Sequence, residues 1–94
     1  MVRVPQVADI RAAIELYWSK IEIGTNDICA LFGGIGRERA GKLKAWAREE
    51  MQKRGTVNFN PMYVNTEVAY EVWGLKINDL ERRYNKLKQY RKEG

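Results

Sequence analysis

Thr25-Asn26-Asp27-Ile28-Cys29-Ala30-Leu31-Phe32-Gly33-Gly34-Ile35-Gly36-Arg37-Glu38-Arg39-Ala40-Gly41-Lys42-Leu43-Lys44 is the stretch on which the fold turns. Thr25 suits a helix N-cap, and Asn26 and Asp27 come next in the first turn, where negative charge complements the helix dipole. Ile28, Leu31 and Phe32 recur at helical spacing. Three glycines within residues 33–36 then stop the helix, because glycine pays heavily in backbone freedom inside one and favours turns. Beyond them, Ala40, Leu43, Ala47 and Met51 form an apolar stripe with Trp46 beside it. They predict a longer helix from Gly36 or Arg37 to about Arg54, stopped by Gly55.

Two helices joined by a glycine turn meet the requirements of a helix-turn-helix over residues 25–48. The first helix supplies an apolar seat in Ile28 and Leu31. Ile35 plugs the core behind the turn. Ala40 is small enough to dock at the crossing, Leu43 packs one turn later, and the outer face stays free for a major groove.

Toward the N-terminus, Val7, Ile10, Ala13, Ile14, Tyr17, Trp18 and Ile21 predict an amphipathic helix over about 6–20, with Pro5 in its first turn. Residues 21–24 read as a short extended connector. Residues 56–65, with Pro61 and three asparagines, read as a linker or a short wing. Asn65 or Thr66 caps a fourth helix that Gly74 ends, and Asn78 or Asp79 caps a fifth, on which Leu80, Tyr84 and Leu87 form a stripe amid basic residues. The expectation is an all-α bundle of about five helices in a single domain over residues 1–94. Its basic stretch 76–94 projects into solvent or toward a partner. There is also an internal echo. Thr25 precedes Gly33 by the same interval as Thr66 precedes Gly74, which fits either a duplicated unit or two independently capped helices.

Charge is unevenly placed. The chain carries 17 basic and 12 acidic residues, a net +5. Residues 36–54 hold seven basic and three acidic side chains, and residues 76–94 hold the same numbers, so each segment carries +4. Such fields favour a polyanion, whose phosphates release counterions when they meet Lys and Arg. With no histidine and one cysteine, Cys29, neither a zinc site nor a Cys-His or Ser-His catalytic pair can be assembled. The acids lie among cations at helical spacing, the pattern of solvated ion pairs. The expectation is therefore no enzyme, no metal, no cofactor and no small-molecule ligand. The longest apolar run, Ile28 to Gly36, is far short of a membrane span. The opening residues Met1 to Pro5 lack the apolar core of an export signal, and the lone cysteine suits a reducing compartment, so a cytoplasmic protein is expected.

The central stretch resembles the helix-turn-helix of phage and bacterial regulators. These often read Asp-Ile-x-x-x-Phe-Gly, then a turn and Arg-x-x-Ala-x-x-Leu, here Asp27-Ile28 to Phe32-Gly33 and Arg37 to Ala40 to Leu43. Relative to that pattern the turn has an additional glycine, which leaves the register of the second helix open by one position. More loosely, Val68 to Leu75 and the basic helix after it look like the C-terminal half of excisionase- or regulator-like prophage proteins.

The resemblance implies double-stranded DNA as the partner. Base contacts would come from Arg37, Glu38, Gly41 and Lys42: arginine pairs with guanine O6 and N7, and glutamate accepts from cytosine N4. Phosphate contacts would come from Lys20, Thr25, Asn26, Arg39, Lys44 and Arg48. Arg83, Lys86 and Arg91 would add accessory contacts, or the fifth helix would mediate a homodimer. Glu38 could instead pair with Lys42 and read no base. The large aromatics, Trp18, Trp46, Trp73, Phe32 and Tyr17, read as core, whereas Phe59 and Tyr63 would reach a minor groove if 56–65 forms a wing. Three uses fit: a phage or prophage transcription regulator, a recombination accessory protein, or the DNA-recognition subunit of a packaging complex. The competing reading is a helical protein-interaction module that binds an acidic surface through its fifth helix.

Overall fold

A carboxylate sets the first helix. Asp9 accepts from the backbone N–H groups of Arg11 and Ala12 at 2.9 and 3.3 Å, and α1 runs from Ile10 to Ser19. The computed structural model describes residues 3–93, with side chains to Tyr90. The first helix thus starts later than Pro5 suggests, because Asp9 satisfies two orphan N–H groups that no residue near Pro5 can. The segment before it lies along α2, where the Ala8 N–H donates to the Leu31 carbonyl at 3.0 Å.

The remaining elements are β1 (Glu22–Ile23), α2 (Thr25–Leu31), α3 (Arg37–Arg54), β2 (Val64–Asn65), α4 (Thr66–Val72) and α5 (Ile77–Glu93). The chain is an all-α bundle with one minimal ladder. β1 and β2 pair antiparallel, Glu22 opposite Asn65 and Ile23 opposite Val64. Residues 56–65 therefore form no hairpin: 56–63 is a loop, and only the two residues after it enter the ladder.

The core lies where α3 crosses α2 and α4. Ala40, Leu43, Ala47 and Met51 are each at most 2% exposed, and they meet Ile28, Leu31, Val64 and Ala69 in one cluster. Burying a seam of such side chains is the main favourable term in so short a chain. Two buried aromatics have their polar ends satisfied. The Tyr70 hydroxyl donates to the Ala13 carbonyl at 2.7 Å, and Trp73 Nε1 donates to the Leu43 carbonyl at 3.0 Å. Burial pushes the Tyr70 hydroxyl well above the usual tyrosine range.

Trp18 does not join this core. It is 64% exposed, touching the Tyr17 ring edge-on at 5.0 Å between centroids and donating from Nε1 to Glu81 at 3.2 Å. α5 also stays at the edge, reaching the core through the half-buried Leu80. It starts at Ile77, one residue before the expected cap, so that Asp79 falls in its first turn and accepts from Arg82 at 3.0 Å. Ile77, Leu80 and Tyr84 are only half-buried, and α5 packs chiefly along α1. The two run antiparallel, with Trp18 beside Glu81 and Ile10 and Arg11 beside Tyr84 and Leu87. Residues 85–90 are exposed, and the molecule is drawn out to 46 × 26 × 22 Å. No helix among the described residues is long and apolar enough to cross a membrane.

Candidate nucleic-acid interface

The turn between α2 and α3 is built on consecutive left-handed glycines. Gly33 and Gly34 have φ of 78° and 82°. Their N–H groups donate to the carbonyls of Ala30 and Cys29 at 3.2 and 2.7 Å, which closes the end of α2. The additional glycine is the second of two residues that L side chains would strain. With it in place Gly36 caps α3 and Arg37 is its first residue, which resolves the register.

The cap of α2 differs from expectation. Gly24, not Thr25, is the N-cap, and the Asp27 carboxylate turns back to accept from the Gly24 N–H at 3.1 Å. Thr25 is thereby free for another role: its hydroxyl accepts from Lys44 Nζ at 2.9 Å.

Arg37, Gly41, Lys44 and Arg48 share one side of α3, at helical spacing. This side looks toward the start of α2 and toward the loop before β2. Arg37 donates to Asn26 Oδ1 at 2.8 Å. Lys44 also donates to the Met62 carbonyl at 3.1 Å. Arg48 donates to the carbonyls of Pro61 and Tyr63 at 2.8 and 3.4 Å, while its buried Nε has no partner among the described residues. A groove of about 190 Å³ opens here, lined among others by Thr25, Asn26, Arg37, Lys44, Met62 and Tyr63. Lys20 pairs with Asp27 at 2.9 Å, and that carboxylate raises the lysine above its usual pKa.

The candidate residues therefore divide. Thr25, Asn26, Arg37 and Lys44 line one groove, Arg48 bonds the loop carbonyls and Lys20 the Asp27 carboxylate, so that all of them bond to the protein itself. Arg39 is exposed and makes no hydrogen bond or ion pair among the described residues. Glu38 and Lys42 lie 4.0 Å apart on the exposed face, a pair worth a few tenths of a kcal/mol at best. A methyl group at Gly41 would meet nothing within 4 Å, so this glycine does not serve packing against α2 and leaves the groove side of α3 bare. Arg83 and Lys86 are exposed on α5, on another part of the molecule, and the side chain of Arg91 lies outside the described residues.

Sequence reasoning missed the fastening of the loop. The Glu22 carboxylate accepts from the backbone N–H groups of Phe59 and Asn60 at 2.8 and 3.1 Å. Lys44 and Arg48 hold the loop's other end by its carbonyls. Thus anchored, it presents Val57, Phe59 and Met62, which are 65%, 77% and 67% exposed. No local spacing signals a carboxylate that serves residues 37 and 38 positions away. The composition of 56–65 hints only at a linker or a wing.

No known protein family matches the chain, and neither a curated protein nor a solved structure does. Any functional reading rests on the geometry itself.

Proposed function

We propose that this chain is a non-enzymatic, sequence-specific double-stranded DNA-binding protein of the cytoplasm that inserts the first half of α3 into the major groove. The observation that carries this reading is the asymmetry of α3. One side is sealed against α2 and α4 by Ala40, Leu43, Ala47 and Met51. On the rest of its first turns Arg37 stands one turn before Gly41 and Lys42 beside it, with open space above the glycine, while Arg39 is exposed on the flank away from them. A bare glycine lets a phosphate or base edge approach the helix closely, and cations beside it supply charge-assisted donors. The loop carrying Phe59 and Met62 flanks the same groove and would lie against the adjoining backbone or minor groove. Arg39 is the free donor, and Lys42 is held only by its exposed pair with Glu38. Arg37 holds Asn26 through Nη1 and keeps Nε and Nη2 for a base. Lys44 and Arg48 position the loop, and touch phosphate only while doing so.

The same contact would serve a phage-type transcription regulator, a recombination accessory protein or the recognition subunit of a packaging complex. Selection from random duplex DNA tests the reading. An enriched motif is expected, and a scrambled duplex should compete far less well than the selected one. Absence of any motif, or equal competition, would refute sequence-specific binding.

A further inference from the structure

Two exposed faces of this molecule complement each other, yet one copy cannot bring them together. The first is apolar with an acidic rim. Trp18 and Ile21 are 64% and 74% exposed side by side, and with Tyr17 they line a groove of about 300 Å³ bordered by Glu67 and by Lys20, whose charge is already paired with Asp27. Glu81 stands next to Trp18 and accepts its indole N–H. Glu67, Glu71 and Glu81 converge closely enough on Tyr17 that all three raise its hydroxyl's pKa, after burial itself. Glu71 is bonded to Arg54 at 2.6 Å, but Glu67 and Glu81 have no cationic partner among the described residues. An exposed tryptophan and isoleucine side by side mark a partner-binding surface, and unpaired carboxylates at its rim, in a chain of net charge +5, favour a cationic partner.

The second face is the far end of α5. Lys86 and Lys88 are exposed there without an ion pair among the described residues, Lys88 lying 5.1 Å from the centre of the Tyr84 ring. Leu87 and Tyr90, 37% and 77% exposed, provide apolar surface among them. Because α1 and α5 run antiparallel, Lys88 is carried about 10 Å further along the helix than Glu81, away from the Trp18 end. The cations cannot fold back onto the acidic rim of their own chain.

We infer that the Trp18–Ile21 face is the docking site for the basic end of α5 from a second copy of this chain, in a head-to-tail contact. Leu87 and Tyr90 of one copy would cover Trp18 and Ile21 of the next, and Lys86 and Lys88 would face Glu67 and Glu81. Such a contact uses different patches on the two copies, so it repeats from copy to copy unless the rotation between them closes a ring or a reciprocal pair. This inference goes beyond DNA binding and is tested without DNA.

Sedimentation velocity at increasing protein concentration is expected to show self-association that weakens with salt. Trp18→Ala/Glu67→Lys spoils the acidic face, and Lys86→Glu/Lys88→Glu spoils the basic end. Each pair should raise the dissociation constant by roughly tenfold or more, the scale of losing a central aromatic anchor or a set of facing charges. Mixing the two variants decides the geometry. One retains a sound basic end and the other a sound acidic face, so a 1:1 complex should form and grow no further. A wild-type chain that stays monomeric throughout, or a mixture that stays as dissociated as its components, would overturn the inference. A symmetric dimer indifferent to both sets of substitutions would do the same. Should Trp18→Ala loosen α1 in circular dichroism, Ile21→Ser, exposed and outside every helix, replaces it in the same scheme.

Discussion

Helices α2 and α4 are built alike, but the long helices that come after them sit differently. Each of the two short helices has seven residues and is preceded by a strand, and those strands pair with each other, Ile23 facing Val64. Each ends on a buried aromatic, Phe32 or Trp73, with a left-handed glycine next, Gly33 or Gly74. In both, the last carbonyls are closed by the same two bonds, Gly34 to Cys29 and Gly33 to Ala30 in one, Leu75 to Tyr70 and Gly74 to Glu71 in the other. A long basic helix comes next in both cases. Yet α3 sinks into the core while α5 lies on the surface. Counted from each helix start, Ala40, Leu43, Ala47 and Met51 correspond to Leu80, Arg83, Leu87 and Arg91. Two alanines allow close approach at the crossing, where two arginines and two larger side chains cannot. End signals shape the stop of a helix, and the size and charge of the next one decide whether it docks.

Substitutions at these corresponding positions put the contrast to the test. The largest effect is expected from Ala40→Glu, which places an unpaired charge where exposure is 0%. It should cost roughly 3–5 kcal/mol, enough to unfold a domain this small. Leu80→Glu, at the half-buried counterpart, should leave a cooperative transition in urea. Equal losses would mean that α5 is as much core as α3.

Next come the turns. Alanine at a left-handed position costs about 1–2 kcal/mol. Gly33→Ala should exceed Gly34→Ala and Gly74→Ala, since its methyl would also press on the Ala8 Cβ at 3.2 Å, whereas the other two meet open space. Thermal melts of the three variants rank them. Smallest in stability, and opposite in sign, is Gly41→Ala, expected to stabilise α3 by about 1 kcal/mol. If the bare side of α3 meets DNA, this more stable protein binds its selected site less tightly. Unchanged affinity would show that no ligand comes close at Gly41.

Much of the fold is readable in advance where the physics is local. The glycine stops at 33–36, 55 and 74, the seam of Ala40, Leu43, Ala47 and Met51, and the start of α3 to within one residue, Gly36 or Arg37, all come from spacing and backbone preference. Local rules fail where two of them compete. Pro5 allows a helix start, but the Asp9 carboxylate fixes a later one. Thr25 is a good cap, but Asp27 turns back to Gly24 and Lys44 claims the hydroxyl. The partners of Lys44 and Arg48 lie across the fold, on the 61–63 loop, and no periodicity encodes them. For the same reason the stripe wrongly places Trp18 in the core. Its position in that stripe is visible in the sequence, but not that α5 leaves one of its faces in water.

The ladder of β1 and β2 has a consequence for anyone wishing to transplant α2 and α3. A fragment ending at Gly55 would keep every residue of the helix-turn-helix and lose much of what seats it. Val64 would no longer pair with Ile23, and Ala69 would be gone from the seam. The Leu43 carbonyl would lose the indole of Trp73. The motif is thus on loan from the chain's second half, and the shortest unit expected to fold by itself extends through the glycine stop of α4.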